Sequence, residues 1–96
     1  MDEAKYRAAL GENIRRIRKK KKLTQDTFSE RIGIEPSSLS NIENGKSFPS
    51  TLTIIQIQQQ FDVSPEEIFD IEYLNNIKVI EDDIYTAVDN LDTEKK

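Results

Sequence analysis

Three times along this 96-residue chain the same local signature occurs: an apolar residue, a helix-capping position, and a second apolar residue five places after the first. The pairs are Leu23 and Phe28 around Thr24, Ile34 and Leu39 around Glu35, and Val63 and Ile68 around Ser64. Each pair fits the N′ and N4 positions of a hydrophobic staple, which fixes the angle at which a chain enters a helix. Pro36 and Pro65 fall at the first helical position, where a missing N–H costs nothing. Ser64 and Glu67 make a capping box. Gly33 and Gly45 supply residues able to take positive φ where a helix stops. Helices punctuated this closely are short, joined by tight turns, and must bury one another's apolar faces.

The remaining helices follow from periodicity. Tyr6, Leu10, Ile14 and Ile17 form an amphipathic stripe, predicting a helix from about residue 4 to about residue 21. Lysines 19 to 22 sit at the negative end of its dipole. Ser50 or Thr51 caps a further helix with Ile54, Ile57 and Phe61 on one face. No β-branched alternation or hairpin dipeptide appears. The expected fold is all-α, with five short helices within about 70 residues.

Composition removes several function classes. The chain has no cysteine and no histidine, which excludes disulfides, thiolate sites, His-based triads and most zinc chemistry. No nucleophile–base pair or phosphate-cradling glycine loop is present, so an enzyme is not expected. The acidic run Glu81-Asp82-Asp83 reads as a solvated helix face rather than a cation site, and no cofactor is expected. Apolar runs are too short to span a membrane, and Met1-Asp2-Glu3 does not open a signal peptide, so a cytoplasmic protein is expected. The net charge of −4 hides a gradient. Residues 1–23 carry nine bases against three acids, and residues 62–96 carry three bases against eleven acids. Such asymmetry points to a basic working surface and an acidic region with a separate task.

Two helices, Thr24–Ile32 and Pro36–Asn44, joined through Gly33, have the size of a helix-turn-helix, whose second helix enters the DNA major groove. The motifs sharpen this. Leu10-Gly11-x-x-Ile14-Arg15-x-x-Arg18, Leu23-Thr24-Gln25, Leu39-Ser40-Asn41-Ile42-Glu43-Asn44-Gly45-Lys46, Pro49-Ser50 and Val63-Ser64 follow one another in order. The series, spanning residues 10–70, resembles the Cro/C1-type (XRE) helix-turn-helix family. The resemblance implies a five-helix, lambda-repressor-like domain over residues 1–70. It implies sequence-specific binding of double-stranded operator DNA, usually as a dimer and usually to repress transcription.

Residue by residue, the resemblance assigns phosphate contacts to Thr24 and Gln25 at the start of the second helix, and to Asn44 and Lys46 after the third. A helix N-terminus is itself suited to a phosphate. Bases would be read from Pro36, Ser37, Ser38, Ser40 and Asn41. Asn41 can pair bidentately with adenine, and no arginine is available on this helix to read guanine, so a modest, AT-leaning readout is expected. Arg18 and Glu43 match an internal ion pair of the family. Four departures stand out: Lys22 where glycine is common, Ser29 and Gln58 where alanine usually packs, and Glu35, whose negative charge opposes DNA.

Residues 71–96 lie beyond the shared domain and form an acidic segment with apolar residues at three- and four-residue steps. Ile77, Ile80, Ile84, Val88 and Leu91 predict an amphipathic C-terminal helix that serves as a homodimer element or packs back on its own domain. A two-fold dimer would place recognition helices about 34 Å apart on a palindromic site. The competing reading is a protein-interaction module or antitoxin component that reuses the fold and binds a protein partner, with weak or no DNA binding. Glu35 and the absence of a base on the recognition helix favour it; Gln25 and Lys46 favour DNA.

Overall fold

The computed structural model describes residues 2–71; the expected C-terminal helix and its positions Ile77, Ile80, Ile84, Val88 and Leu91 lie outside them. The described residues form five α-helices: α1 (Glu3–Lys20), α2 (Gln25–Ile32), α3 (Pro36–Glu43), α4 (Thr51–Phe61) and α5 (Pro65–Phe69). α1 packs on α3 and α5, while α2 packs on α3 and α4. One core holds them together. Its fully buried apolar side chains are Ile14, Phe28, Leu39, Ile57 and Ile68, so each helix contributes one. All three stapling pairs end in that core, with Leu23 and Ile34 packed at its edge. Phe28 stacks on Phe61, with ring centroids 4.6 Å apart.

The helix starts follow from their caps. Thr24 Oγ1 accepts from the Thr27 amide at 3.1 Å, Ser50 Oγ from the Thr53 amide at 3.1 Å, and Ser64 with Glu67 form the full capping box. Ser50, not Thr51, is therefore the α4 cap. Glu35 occupies the cap position of α3 but its side chain makes no capping bond. Helix ends share one device. The Leu23, Ile34, Lys46 and Val63 amides each donate back to the carbonyl five residues earlier, at 2.8 to 3.3 Å. The residue just before each donor is left-handed: Lys22 (φ 62°), Gly33 (φ 80°), Gly45 (φ 75°) and Asp62 (φ 54°). Lys22 therefore takes the glycine conformation with a side chain attached, and α1 still ends sharply. A left-handed L-residue costs about 1–2 kcal/mol, which this stop absorbs.

Two polar residues are buried without loss. Ser29 is fully buried and donates its hydroxyl to the Asp26 carbonyl at 3.0 Å. Asn13 donates to the Ile68 carbonyl at 3.0 Å and accepts from Arg16 at 2.9 Å, tying α1 to the end of α5. Gly11 sits at the α1–α3 crossing, where an added Cβ would collide with the Ile42 carbonyl oxygen. Without a side chain there, the two helices approach backbone to backbone. The helix-turn-helix is braced on that crossing, through the Arg18–Glu43 pair.

Candidate nucleic-acid interface

α2, the turn at Gly33 and α3 form a helix-turn-helix. The Ile34 amide donates to the Ser29 carbonyl at 3.0 Å across the turn, and Pro36 begins α3. Leu39, Ile42 and Glu43 point into the domain. Pro36, Ser37, Ser38 and Asn41 are exposed on the opposite face, and Ser40 is half-buried between the two. Four of the five residues assigned to base readout therefore share the outer side of one helix. They are small and neutral, so this face offers hydroxyls and one carboxamide rather than charge.

Behind that face lies a charged hub. The Glu43 side chain is wholly buried and accepts from Arg18 Nε at 2.7 Å and Arg18 Nη2 at 3.0 Å. It also accepts from Gln25 Nε2 at 2.9 Å, and Arg15 Nε lies 3.5 Å away. Burial pushes the Glu43 carboxyl up. The bonds from Arg18 and Gln25, with the charges of Arg18 and Arg15, more than reverse that and hold it below the usual glutamate range. A buried carboxylate with this many donors stays ionised and rigid. The ion pair joins α1 to α3, and Gln25 adds the start of α2.

Arg15 extends the network outward. Its Nη2 donates to Asn44 Oδ1 at 2.6 Å, and Asn44 Nδ2 reaches Ser40 Oγ at 3.3 Å. Asn44 is thus held by two side chains at the end of α3. Arg15 was not singled out for a role in the sequence, although its spacing of three from Arg18 places both guanidinium groups on one side of α1. Thr24 uses its hydroxyl within its own helix, accepting from the Thr27 amide and donating to Thr27 Oγ1 at 3.1 Å. The Gln25 and Asp26 amides fall in the first turn, where an α-helix offers no carbonyl partner. Lys46 is exposed just past α3, and its own amide is bonded to the Asn41 carbonyl at 2.8 Å. Lys19 to Lys22 are exposed at the end of α1.

Among the described residues, none form a group of three or more metal-ligating side chains, and no helix is long and apolar enough to cross a membrane.

Comparison with known proteins places this geometry. A family model described as a helix-turn-helix domain matches residues 11–74. The antitoxin PezA of Streptococcus pneumoniae is 47% identical over 55 residues, covering 57% of this chain; the match spans 35% of that antitoxin. An uncharacterised HTH-type transcriptional regulator of Sinorhizobium fredii, y4dJ, is 34% identical over 62 residues, covering 65% of this chain and 80% of that protein. Among solved structures, the restriction-modification controller protein C.AhdI from Aeromonas hydrophila superposes with a TM-score of 0.62 at 27% identity. That superposition covers 66% of this chain and 96% of the controller.

Proposed function

The chain belongs to the Cro/C1-type (XRE) helix-turn-helix family of DNA-binding transcriptional regulators, and from that premise we propose that it is a cytoplasmic repressor that binds a palindromic operator as a dimer. The observation that carries this reading is the outer face of α3. Pro36, Ser37, Ser38 and Asn41 are exposed together, while Glu43 on the same helix is locked from behind by Arg18 and Gln25. A recognition helix needs that combination, because its base-reading groups must be both accessible and fixed.

In this reading α3 enters the major groove, and Asn41 pairs with an adenine edge while Ser37, Ser38 and Ser40 make single bonds or contacts. Phosphates are held at two places. At the start of α2, the Thr24–Gln25 turn offers first-turn amides and the helix dipole. Gln25 spends one Nε2 proton on Glu43 and keeps a second for a phosphate oxygen. At the end of α3, Asn44 and Lys46 supply the other contact, with Arg15 steadying Asn44. These contacts set register and most of the salt-dependent affinity.

Residues 1–70 are the DNA-binding domain and residues 71–96 the dimer element, through Ile77, Ile80, Ile84, Val88 and Leu91. Support comes from the exposed Leu52, Ile55 and Phe69 on α4 and α5, the second of which leads straight into that segment. Binding without catalysis is the whole of the activity. A mobility-shift assay with full-length protein, run on DNA upstream of its own gene at two salt concentrations, tests the reading. The expected result is a retarded complex that weakens steeply with salt; a chain that shifts no DNA at either salt overturns it.

The antitoxin reading is second, and the PezA identity favours it. Glu35, exposed and free of any capping bond at the start of α3, weighs on the same side. The assay separates the two when the DNA complex is challenged with a candidate protein partner encoded beside the gene.

A further inference from the structure

The first two turns of α1 precede residue 11, where the match to the family model begins, and nothing in the reading above uses them. They make a set of contacts to the loop that follows α3. Arg7 Nε donates to the Gly45 carbonyl at 2.9 Å. The same guanidinium lies 5.7 Å over the Phe48 ring and pairs with Glu3 at 3.3 Å. Phe48 meets Tyr6 edge to face, with ring centroids 6.5 Å apart and planes at 82°. Gly45 backs onto Ala8 so closely that an added Cβ would lie 2.9 Å from the Ala8 Cα. Four successive contacts, from hydrogen bond to backbone approach, thus fall between one helix end and one four-residue loop segment.

We propose that Arg7, with Tyr6 and Phe48, is a positioning residue for DNA binding. It holds the Gly45–Phe48 segment in the shape that presents Asn44 and Lys46 to the phosphate backbone. The inference rests on the DNA-binding reading above and deepens it. Phe48 is 46% exposed, so its ring is not in place as core; what fixes it is the pair of α1 side chains. Arg7 itself is a poor phosphate contact, because its side chain is only 25% exposed and its Nε and Nη1 are already committed. A loop ordered in advance spends less of its contact energy on ordering when the ligand arrives.

The test uses the full chain and three variants: Arg7→Met, Arg7→Gln and Lys46→Ala. Gln25-like chemistry is useful here, since a glutamine Nε2 stands the same number of bonds from Cα as an arginine Nε and can donate without carrying charge. Amide hydrogen exchange is read first, and it needs no DNA. In Arg7→Met the Lys46 amide should exchange about tenfold faster while Phe28 in the core is unchanged. Arg7→Gln should restore most of that protection. Unchanged exchange at Lys46 overturns the brace.

Operator affinity is read second. Arg7→Met should weaken binding about five- to tenfold with no change in salt slope, since no phosphate contact is lost. Lys46→Ala should then cost less in the Arg7→Met background than alone. A slope lowered by about 0.9 in Arg7→Met, not rescued by Arg7→Gln, makes Arg7 a phosphate contact and overturns the positioning role. Failure of the unmodified protein to bind DNA overturns the DNA-binding reading, and with it the purpose of the brace. The exchange data then still decide whether the brace exists.

Discussion

At the scale of single residues, Glu43 governs the most. Its carboxylate is buried among donors from α1 and α2, so deleting a partner strands a charge. Arg18→Ala should lower stability by about 3–5 kcal/mol, the range for breaking a buried pair. The pH dependence follows from the direction of the Glu43 shift. Its folded carboxyl titrates below the unfolded one, so its contribution is complete above about pH 4.3 and fades as pH falls through the lower, folded value. The stability gap between the native chain and Glu43→Gln should therefore be full at neutral pH and narrow below pH ~4. Denaturant melts at several pH values check this; a gap that stays constant into acid contradicts it. Gly11 is the second such position. Alanine is favoured over glycine within a helix by about 1 kcal/mol, but its Cβ would meet the Ile42 carbonyl, a backbone atom that cannot swing aside. Gly11→Ala should destabilise by roughly 1–3 kcal/mol, as overpacking does. A higher melting temperature would show that α1 and α3 can separate without penalty.

At the scale of elements, the recognition helix starts on an unusual residue. Glu35 holds the cap position without capping, while the four other caps, Asp2, Thr24, Ser50 and Ser64, all accept a bond from the first turn of their helices. Glu35→Ser should supply the missing bond, gaining about 1 kcal/mol, and should also tighten operator binding by removing a negative charge near the phosphates. Thermal melts and a binding titration on the same variant check both halves; weaker binding contradicts the repulsion argument. Elements were the part of this protein most open to reading from sequence, because caps, staples and stop signals act within a few residues. Of the five helices among the described residues, α2, α3 and α5 and with them the helix-turn-helix were legible on that basis, and α1 and α4 from their apolar period. The stop at Asp62 was not legible, since aspartate does not announce a left-handed backbone, and Lys22 was marked only by the glycine common there in the family. The cross-links were also hidden. Arg7 meets Gly45, Arg15 meets Asn44, and Asn13 meets Ile68 across separations of 38, 29 and 55 residues, which only the packing of α1 on α3 and α5 brings together. The outward face of α3 was legible by period; the network that steadies it was legible only at Arg18 and Glu43, through a family motif.

At the scale of the molecule, the charge gradient acquires a geometry. The exposed lysines 19 to 22 close α1, the outer face of α3 is neutral, and the acidic region begins at Asp62, includes Glu66 and Glu67 of α5 and continues past it along the chain. A chain of net charge −4 binds DNA only if its acids are held away from the duplex, the separate task that the proposed dimer element would serve. Sedimentation of the full chain and of a chain ending at Asp70 should give a dimer and a monomer; monomers in both contradict the dimer. Whether α3 and its flanking loop grip DNA is decided by operator affinity measured across a salt series for the native chain and Lys46→Ala. Log affinity should fall steeply with log salt, with the slope reduced by about 0.9 in Lys46→Ala, one phosphate contact's worth. Equal slopes for the two proteins, or no salt dependence in either, would contradict it.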